Sequence, residues 1–359
     1  MQYEDNFFTY LKWRGDLLIK DVPFNEVDAL ILSELVYIHF ENIVPKLGEE
    51  GCITIREANA KYEKSTAREM LFYKAKEELF DALAFSPRFA DMTLCNYVST
   101  LDVEEQEQFA AMHVNVTPNL TFVAFRGTDS TVVGWREDLN MSFMMPVPAQ
   151  KSAVEYVEKT AKGLFKKYSF GGHSKGGNLA VYSAVFCNPK IQKKLIQVYN
   201  FDGPGFNRKM INEEAYHRVE DRISTFVPEQ SIVGLLMEHE EDYKVVESTE
   251  FSILQHEGFS WVIDRDEFAL VESVDKFSKS LSLTLKAWLA QMNREERKAV
   301  VDAFFDVFVN AGINDFMEIV DMDVKKAGVL LKEVAKVPHA QRDKVMKLIK
   351  LLIEENTRK

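Results

Sequence analysis

Gly172-His173-Ser174-Lys175-Gly176-Gly177-Asn178-Leu179-Ala180 sets a serine between two glycines in the pattern G-x-S-x-G. The spacing predicts a serine on a sharp turn from a strand into a helix. Glycines two residues before and two after it keep β-carbons out of the space where strand and helix nearly collide. Such a turn lifts the Ser174 hydroxyl clear of the backbone. It also puts the Lys175 amide at a helix N-terminus, where unpaired N–H groups can face a developing oxyanion. Five residues are a weak signal alone, so the weight falls on what the rest of the chain supplies, and in what order.

The surroundings read as strands alternating with helices. Strands are predicted at Met112–Val116, Leu120–Phe125, Tyr168–Gly172, Ile196–Phe201, Arg222–Val227 and Lys244–Glu250. Helical patterns cover Ser152–Phe165, before the serine, and Gly176–Phe186, after it. This alternation argues for an α/β protein with a mostly parallel sheet and helices on its faces. Open sheets of that kind place their sites at the C-terminal ends of the strands. Residues 1–108 read as a mainly helical segment packed on the core, 109–262 as the α/β core, and 263–359 as a helical region. In the first segment Asn25 caps a predicted helix running from Ala29 to Phe40, Thr54 and Glu57 form a capping box, and Ser65 caps a helix through Leu71, Phe72 and Leu79.

Composition narrows the function classes. The chain has 359 residues, 46% of them hydrophobic, enough for a large core. Its net charge of −12 argues against nucleic acid and against anionic membrane surfaces. Three widely spaced cysteines, Cys52, Cys95 and Cys187, show neither a disulfide framework nor metal-ligand spacing. With no basic, apolar leader pattern and no apolar run near ~20 residues, a cytoplasmic protein without a transmembrane segment is expected.

A serine nucleophile needs a base, an acid to orient that base, and donors for the oxyanion. In α/β-hydrolases the order along the chain is serine, acid, histidine. Two acids follow Ser174 at strand ends: Asp202, in Phe201-Asp202-Gly203-Pro204-Gly205, and Glu229, in Pro228-Glu229-Gln230-Ser231. The usual position is the later strand end, which favours Glu229 and leaves Asp202, ahead of a turn-forming Gly-Pro-Gly, as the alternative. For the base, His256 follows the last predicted strand. His217 precedes Glu229, His239 lies in an acidic run that would face solvent, and His339 falls between C-terminal helices. Upstream, the apolar strand of Phe122-Val123-Ala124-Phe125 breaks at Gly127, so the Thr128 amide can pair with that of Lys175 as an oxyanion hole.

Phe125-Arg126-Gly127-Thr128-Asp129, Trp135, Asp138 and the Ser174 elbow resemble class 3 (fungal-type) lipases. More closely, they resemble a bacterial family of uncharacterised lipase-like α/β-hydrolases with a GHSKGGNLA elbow. Trp13-Arg14-Gly15-Asp16, Pro23 to Asp28, Pro228 to Gly234, and Gln255-His256 share that likeness, which touches roughly residues 10 to 262. The resemblance implies an oxyanion amide at Thr128, an acid that is normally Asp where this chain would have Glu229, and Lys175 in place of the usual Leu. It also implies a lid between the two motifs, where Met141, Phe143, Met144 and Met145 would form an adaptable apolar wall. A loop buried against the sheet is the other reading of that passage. The expectation is a serine hydrolase that cleaves an acyl ester or thioester, lipid-like or small, through a Ser174 acyl-enzyme, with neither cofactor nor metal. The alternatives are an inactive hydrolase-fold binding or scaffold protein, and an acyltransferase using the same nucleophile.

Overall fold

Helices α1 (Phe7–Arg14) and α2 (Glu26–Leu35) open the chain, followed by a short strand β1 (Ile53–Thr54), α3 (Ile55–Lys61) and α4 (Tyr73–Phe85). The computed structural model describes residues 6–64, 73–129, 132–141, 143–239, 241–313 and 324–356. Helix α2 starts where expected: Asn25 accepts from the Asp28 amide and the Asp28 carboxylate accepts from the Asn25 amide. Thr54 and Glu57 cap α3 in the same reciprocal way. The expected start at Ser65, with Leu71 and Phe72, lies outside the described residues. Helix α2 ends at Leu35 rather than Phe40, because the amides of Tyr37 and Ile38 bond carbonyls three residues back and tighten the chain.

The central unit runs β2 (Thr93–Asp102), β3 (Glu107–Thr117), β4 (Leu120–Phe125), α5 (Val132–Asn140), α6 (Pro148–Thr160), β5 (Lys167–His173) and α7 (Lys175–Phe186). It continues through α8 (Pro189–Gln192), β6 (Leu195–Phe201), α9 (Arg208–Ile211), α10 (Glu214–His217), β7 (Ile223–Pro228) and β8 (Tyr243–Val246). Two 3₁₀ turns follow, Ser252–His256 and Gly258–Ser260, then the short strands β9 (Ile263–Asp264), β10 (Glu267–Phe268) and β11 (Leu270–Val271). Among the described residues nine strands form one sheet in the order β1-β2-β3-β4-β5-β6-β7-β8-β11. Its centre, β4 to β8, is parallel, and antiparallel strands extend both edges.

Strand β4 shows how the sheet makes two cores. Successive side chains point to opposite faces, so Phe122 and Ala124 join a cluster with the N-terminal helices. Val123 and Phe125 join a second cluster with α6 and α7. Burial on both faces explains why Phe122–Phe125 reads as an unbroken apolar run. All six expected strands are present, although the last, expected over Lys244–Glu250, is Tyr243–Val246. Strand β2 falls in a stretch that reads as helical, and its pattern is obscured for a physical reason. Asn96 takes a left-handed φ of 55°, and the pairing with β3 slips between Cys95 and Val98, which breaks the period-2 signal.

After β11 come α11 (Lys276–Ala290), α12 (Arg294–Asn310), α13 (Val324–Lys336) and α14 (His339–Asn356). They share a hydrophobic cluster of their own, built on Val301, Phe305, Phe308 and Val345, onto which Trp135, Leu139 and Phe143 pack from the central unit. No described helix is long and apolar enough to cross a membrane.

Candidate active site

The turn predicted at Ser174 is the one observed: β5 ends at His173 and α7 begins at Lys175. Ser174 has φ 57° and ψ −134°, and its side chain makes no cap hydrogen bond to its own helix. A residue without glycine's freedom pays strain of about 1–3 kcal/mol there, which persists only where the surroundings over-determine it. The surroundings do so. A β-carbon on Gly172 would come within 2.3 Å of the Gly176 carbonyl carbon, and one on Gly176 within 2.1 Å of the Phe125 carbonyl oxygen. The Ser174 amide is tied to the Phe201 carbonyl at 2.8 Å, and the Gly177 amide donates to the Ser174 carbonyl at 2.9 Å. The Lys175 amide, at the first position of α7, has no intrahelical acceptor and lies at the positive end of the helix.

Asp202 sits one strand over, at the end of β6, with its own left-handed φ of 50°. Its amide donates to Phe226 at the next strand, at 2.8 Å. One carboxylate oxygen accepts from the Ser231 hydroxyl at 2.6 Å and the Gly234 amide at 3.1 Å. The other lies 2.5 Å from His256 Nδ1. The acid on the imidazole is therefore Asp202, the alternative, and not the favoured Glu229. The physical reason lies in the segment after β7. Glu229 spends its backbone on Val246 and Asp275, its neighbour Gln230 is bonded by Gln255, and Ser231 and Gly234 then turn back to hold Asp202. The Pro228–Gly234 stretch thus holds the Asp202 carboxylate against His256.

Burial alone would push the His256 imidazole down, but the Asp202 hydrogen bond and charge outweigh it, and its pKa stands above the ordinary 6.5. His173, beside Ser174, behaves oppositely. Burial, with the neighbouring His256 adding to it, pushes it down to about 3, so it is neutral at any working pH. Of the other histidines, His217 pairs with Glu220 at the surface and His339 is exposed. His239 does not face solvent: its residue is half-buried with the ring turned inward, near the Gly234 carbonyl at 2.6 Å and Glu241 at 3.1 Å. It thus braces the loop whose amide holds Asp202.

Thr128 lies just past the end of β4, next to the elbow, since a β-carbon on Gly127 would come within 3.1 Å of Ser174 Cβ. The Thr128 hydroxyl pairs with Asp138 of α5 at 2.7 Å. Burial raises Asp138 to about 6, against the lowering effect of Lys175 and of Thr128. Lys175 does not present its charge to the site. Its ammonium is fully buried, 2.8 Å from Glu137 and 3.0 Å from the Gln108 carbonyl. Glu137 also accepts from the Ala149 amide in the first turn of α6 and from the Gln108 amide. The lysine in place of an apolar residue is thus a buried strut behind the elbow. Sequence reasoning had no signal for Glu137, Ser231 or His173, because each acts across many residues of chain.

The methionine-rich passage divides. Met141 and Phe143 line a 350 Å³ cavity with Asn207, Met292, Asn293, Arg294 and Arg297, between the central unit and the C-terminal helices. Phe143 also packs on the C-terminal cluster, whereas Met145 packs against the sheet-face cluster and Met144 is half-buried. Among the described residues no group of His, Cys, Asp and Glu side chains is arranged to hold a metal ion.

A family model described as Mbeg1-like matches residues 83–306. The chain belongs to the Mbeg1-like family. The match takes in Thr128, Ser174, Asp202 and His256 and ends inside α12. Among solved structures, the chain is similar to the Rhizomucor miehei lipase propeptide complex, with 18% identity and a TM-score of 0.33, over 48% of this chain and 59% of that one. It is also similar to M37 lipase, with 14% identity and a TM-score of 0.36, over 59% of this chain and 70% of that one. It thus spans less than two thirds of the Rhizomucor miehei chain. No curated protein matches the sequence.

Proposed function

We propose that this Mbeg1-like chain is a serine hydrolase of the lipase or esterase type, cleaving an acyl ester or thioester through an acyl-enzyme on Ser174. The observation that carries this reading is the 2.5 Å contact of His256 Nδ1 with Asp202, beside a serine held in a strained strand-to-helix turn. With Nδ1–H donated to the carboxylate, Nε2 is left as the basic nitrogen. In this reading Nε2 takes the Ser174 proton as Oγ attacks the acyl carbonyl carbon. The carbonyl oxygen, now an oxyanion, accepts from the Lys175 and Thr128 amides. As the tetrahedral species collapses, the imidazolium returns its proton to the leaving alcohol or thiol. A water deprotonated by the same nitrogen then attacks the acyl-enzyme, and a carboxylic acid leaves with Ser174 restored.

Lys175 contributes its amide only, since its ammonium is spent on Glu137. In this reading Met141 and Phe143 supply the apolar wall for the acyl group, with Met292 of the C-terminal region on its far side, while Met144 and Met145 flank that wall and Met145 anchors it to the core. Ser174 is only 6% exposed, so the nucleophile is sheltered from bulk water. The substrate class is a small or lipid-like acyl ester in the cytoplasm.

The test is turnover of p-nitrophenyl esters of graded chain length, with intact-mass detection of the acyl-enzyme. Ser174→Ala is expected to lower kcat by roughly 10⁴-fold or more. Hydrolysis by Ser174→Ala at the wild-type rate would end the proposal. The base must be neutral to work, so activity is lost as pH falls through the His256 pKa. The acid limb of the kcat/KM profile is expected above 6.5, because that pKa is raised.

A further inference from the structure

We propose that His173 is a positioning residue for His256, and that the N-terminal layer, through Glu34 of α2, Tyr37 just past its end and Lys76 of α4, is part of the apparatus that holds the catalytic imidazole in place. The inference rests on the hydrolase reading for its kinetic consequences but not for its geometry.

The directions of the hydrogen bonds follow from which groups can donate. His173 Nε2 lies 2.6 Å from the His256 carbonyl oxygen. A carbonyl only accepts, so the ring proton is on Nε2 and Nδ1 is an acceptor. Two groups face Nδ1 at 3.5 Å, the Tyr37 hydroxyl and a Glu34 carboxylate oxygen. An ionised carboxylate has no proton to give, which leaves Tyr37 as the donor. The other Glu34 oxygen takes the Lys76 ammonium at 2.6 Å, and Lys76 lies 3.5 Å from the carboxylate of Glu257. His256 is thus fixed through its carbonyl and its successor through its side chain. Both anchors come from elements far off in the chain.

The packing fits this arrangement. The His173 and His256 rings lie 4.6 Å apart, centroid to centroid. A β-carbon on Gly258 would come within 2.9 Å of Glu34, and one on Gly127 within 2.1 Å of the Tyr37 hydroxyl. Tyr37 therefore reaches both sides of Ser174: the strand end that leads to Thr128 and, through His173, the turn that carries His256. That turn needs holding. The 3₁₀ segment Ser252–His256 is a single short element, and Leu254 within it and Phe251 just before it are exposed. A shift of about 1 Å in a catalytic group can cost about 10²-fold in rate.

The test compares His173→Leu, which deletes the donor, with His173→Gln, whose side-chain amide can restore an N–H near Nε2, and with Tyr37→Phe. Two readouts are taken on each: kcat and KM across pH, and the titration of the His256 imidazole by NMR. The charged groups that face His256 (Asp202 from β6, Glu34 from α2, Glu257 beside it, and Asp138 from α5) are unchanged in all three variants. His173→Leu is expected to lower kcat about 10²-fold with KM within about twofold. Its His256 titration should move down toward that of an ordinary histidine as the Asp202 contact loosens. His173→Gln should recover most of both changes, and Tyr37→Phe should show a smaller shift in the same direction. A folded His173→Leu with wild-type kcat and an unmoved His256 titration would overturn the proposal. So would a kcat loss that His173→Gln fails to restore while the titration stays put. If His173→Leu does not fold, the Gln and Phe variants decide the question. A wild type that turns over no ester would sink the hydrolase reading, yet the NMR titrations would still decide this one.

Discussion

Two helical regions adjoin the sheet, and they are held to it in different ways. The N-terminal helices share one core with it, so that Phe7, Leu30 and Phe80 pack in the same cluster as Phe122, Phe201 and Trp261. They also bring buried charge to the joint. Arg88 and Asp28 pair at 2.5 Å with both side chains fully buried, and Lys76 pairs with Glu34 at 2.6 Å. The C-terminal helices close around a core of their own and meet the central unit mainly through α5. Arg136 there pairs with Asp302 and Asp306, with all three side chains partly exposed. Apolar faces make helices stick, but buried charges also dictate where they stick, since an unpaired buried charge costs several kcal/mol. The N-terminal layer is in this sense built into the sheet, and the C-terminal bundle set beside it.

The sharpest way to break this contrast is to remove one buried charge. Arg88→Met strands Asp28 and is expected to destabilise the whole chain by about 3–5 kcal/mol in urea melts. Loss of less than ~1 kcal/mol would put the N-terminal layer on the same footing as the bundle.

A comparable effect comes from acid. His113, like His173, is buried and neutral, with burial pushing its pKa down to about 3. The unfolded chain binds those protons near pH 6.5 and the folded chain does not. Stability is therefore full above 6.5 and declines as pH falls toward 3, by about 1.4 kcal/mol per pH unit for each histidine. Urea midpoints from pH 7 to 4 should fall less steeply in His113→Gln. The bundle carries only the exposed His339, so hydrogen exchange in α12 should not accelerate by this route.

The smallest effect is expected at the partly exposed joint. Arg136→Ala should cost about 0–1 kcal/mol and leave global melting nearly unchanged. A cost like that of Arg88→Met would show the bundle to be docked as rigidly as the N-terminal layer.

The same contrast sets what could be read along the chain. The elbow was legible because its glycines answer a local steric need, and β4 was legible because burial on both faces writes an apolar run. His256 was reachable by its order after the strands. Which carboxylate meets its ring was not, because Asp202 and Glu229 stand at the ends of adjacent strands and nothing local separates them. The Gly-Pro-Gly that marked Asp202 as a turn residue follows a backbone whose left-handed φ accompanies a carboxylate turned onto His256. Ser231 and Gly234, which hold that carboxylate, lie 29 and 32 residues further on. Tyr37 and His173 are 136 residues apart, beyond any periodicity. Helical patterning at the two ends of the chain looked alike because it reports apolar stripes and not where the charges are buried.

The central claim is that Ser174, His256 and Asp202 act together. Fluorophosphonate labelling of the wild type, Ser174→Ala, His256→Ala, Asp202→Asn and Glu229→Gln tests it most directly. The account predicts labelling of the wild type and of Glu229→Gln at equal rates, none of Ser174→Ala, and rates lower by about 10⁴-fold in His256→Ala and Asp202→Asn. Normal labelling of Asp202→Asn together with loss in Glu229→Gln would contradict it.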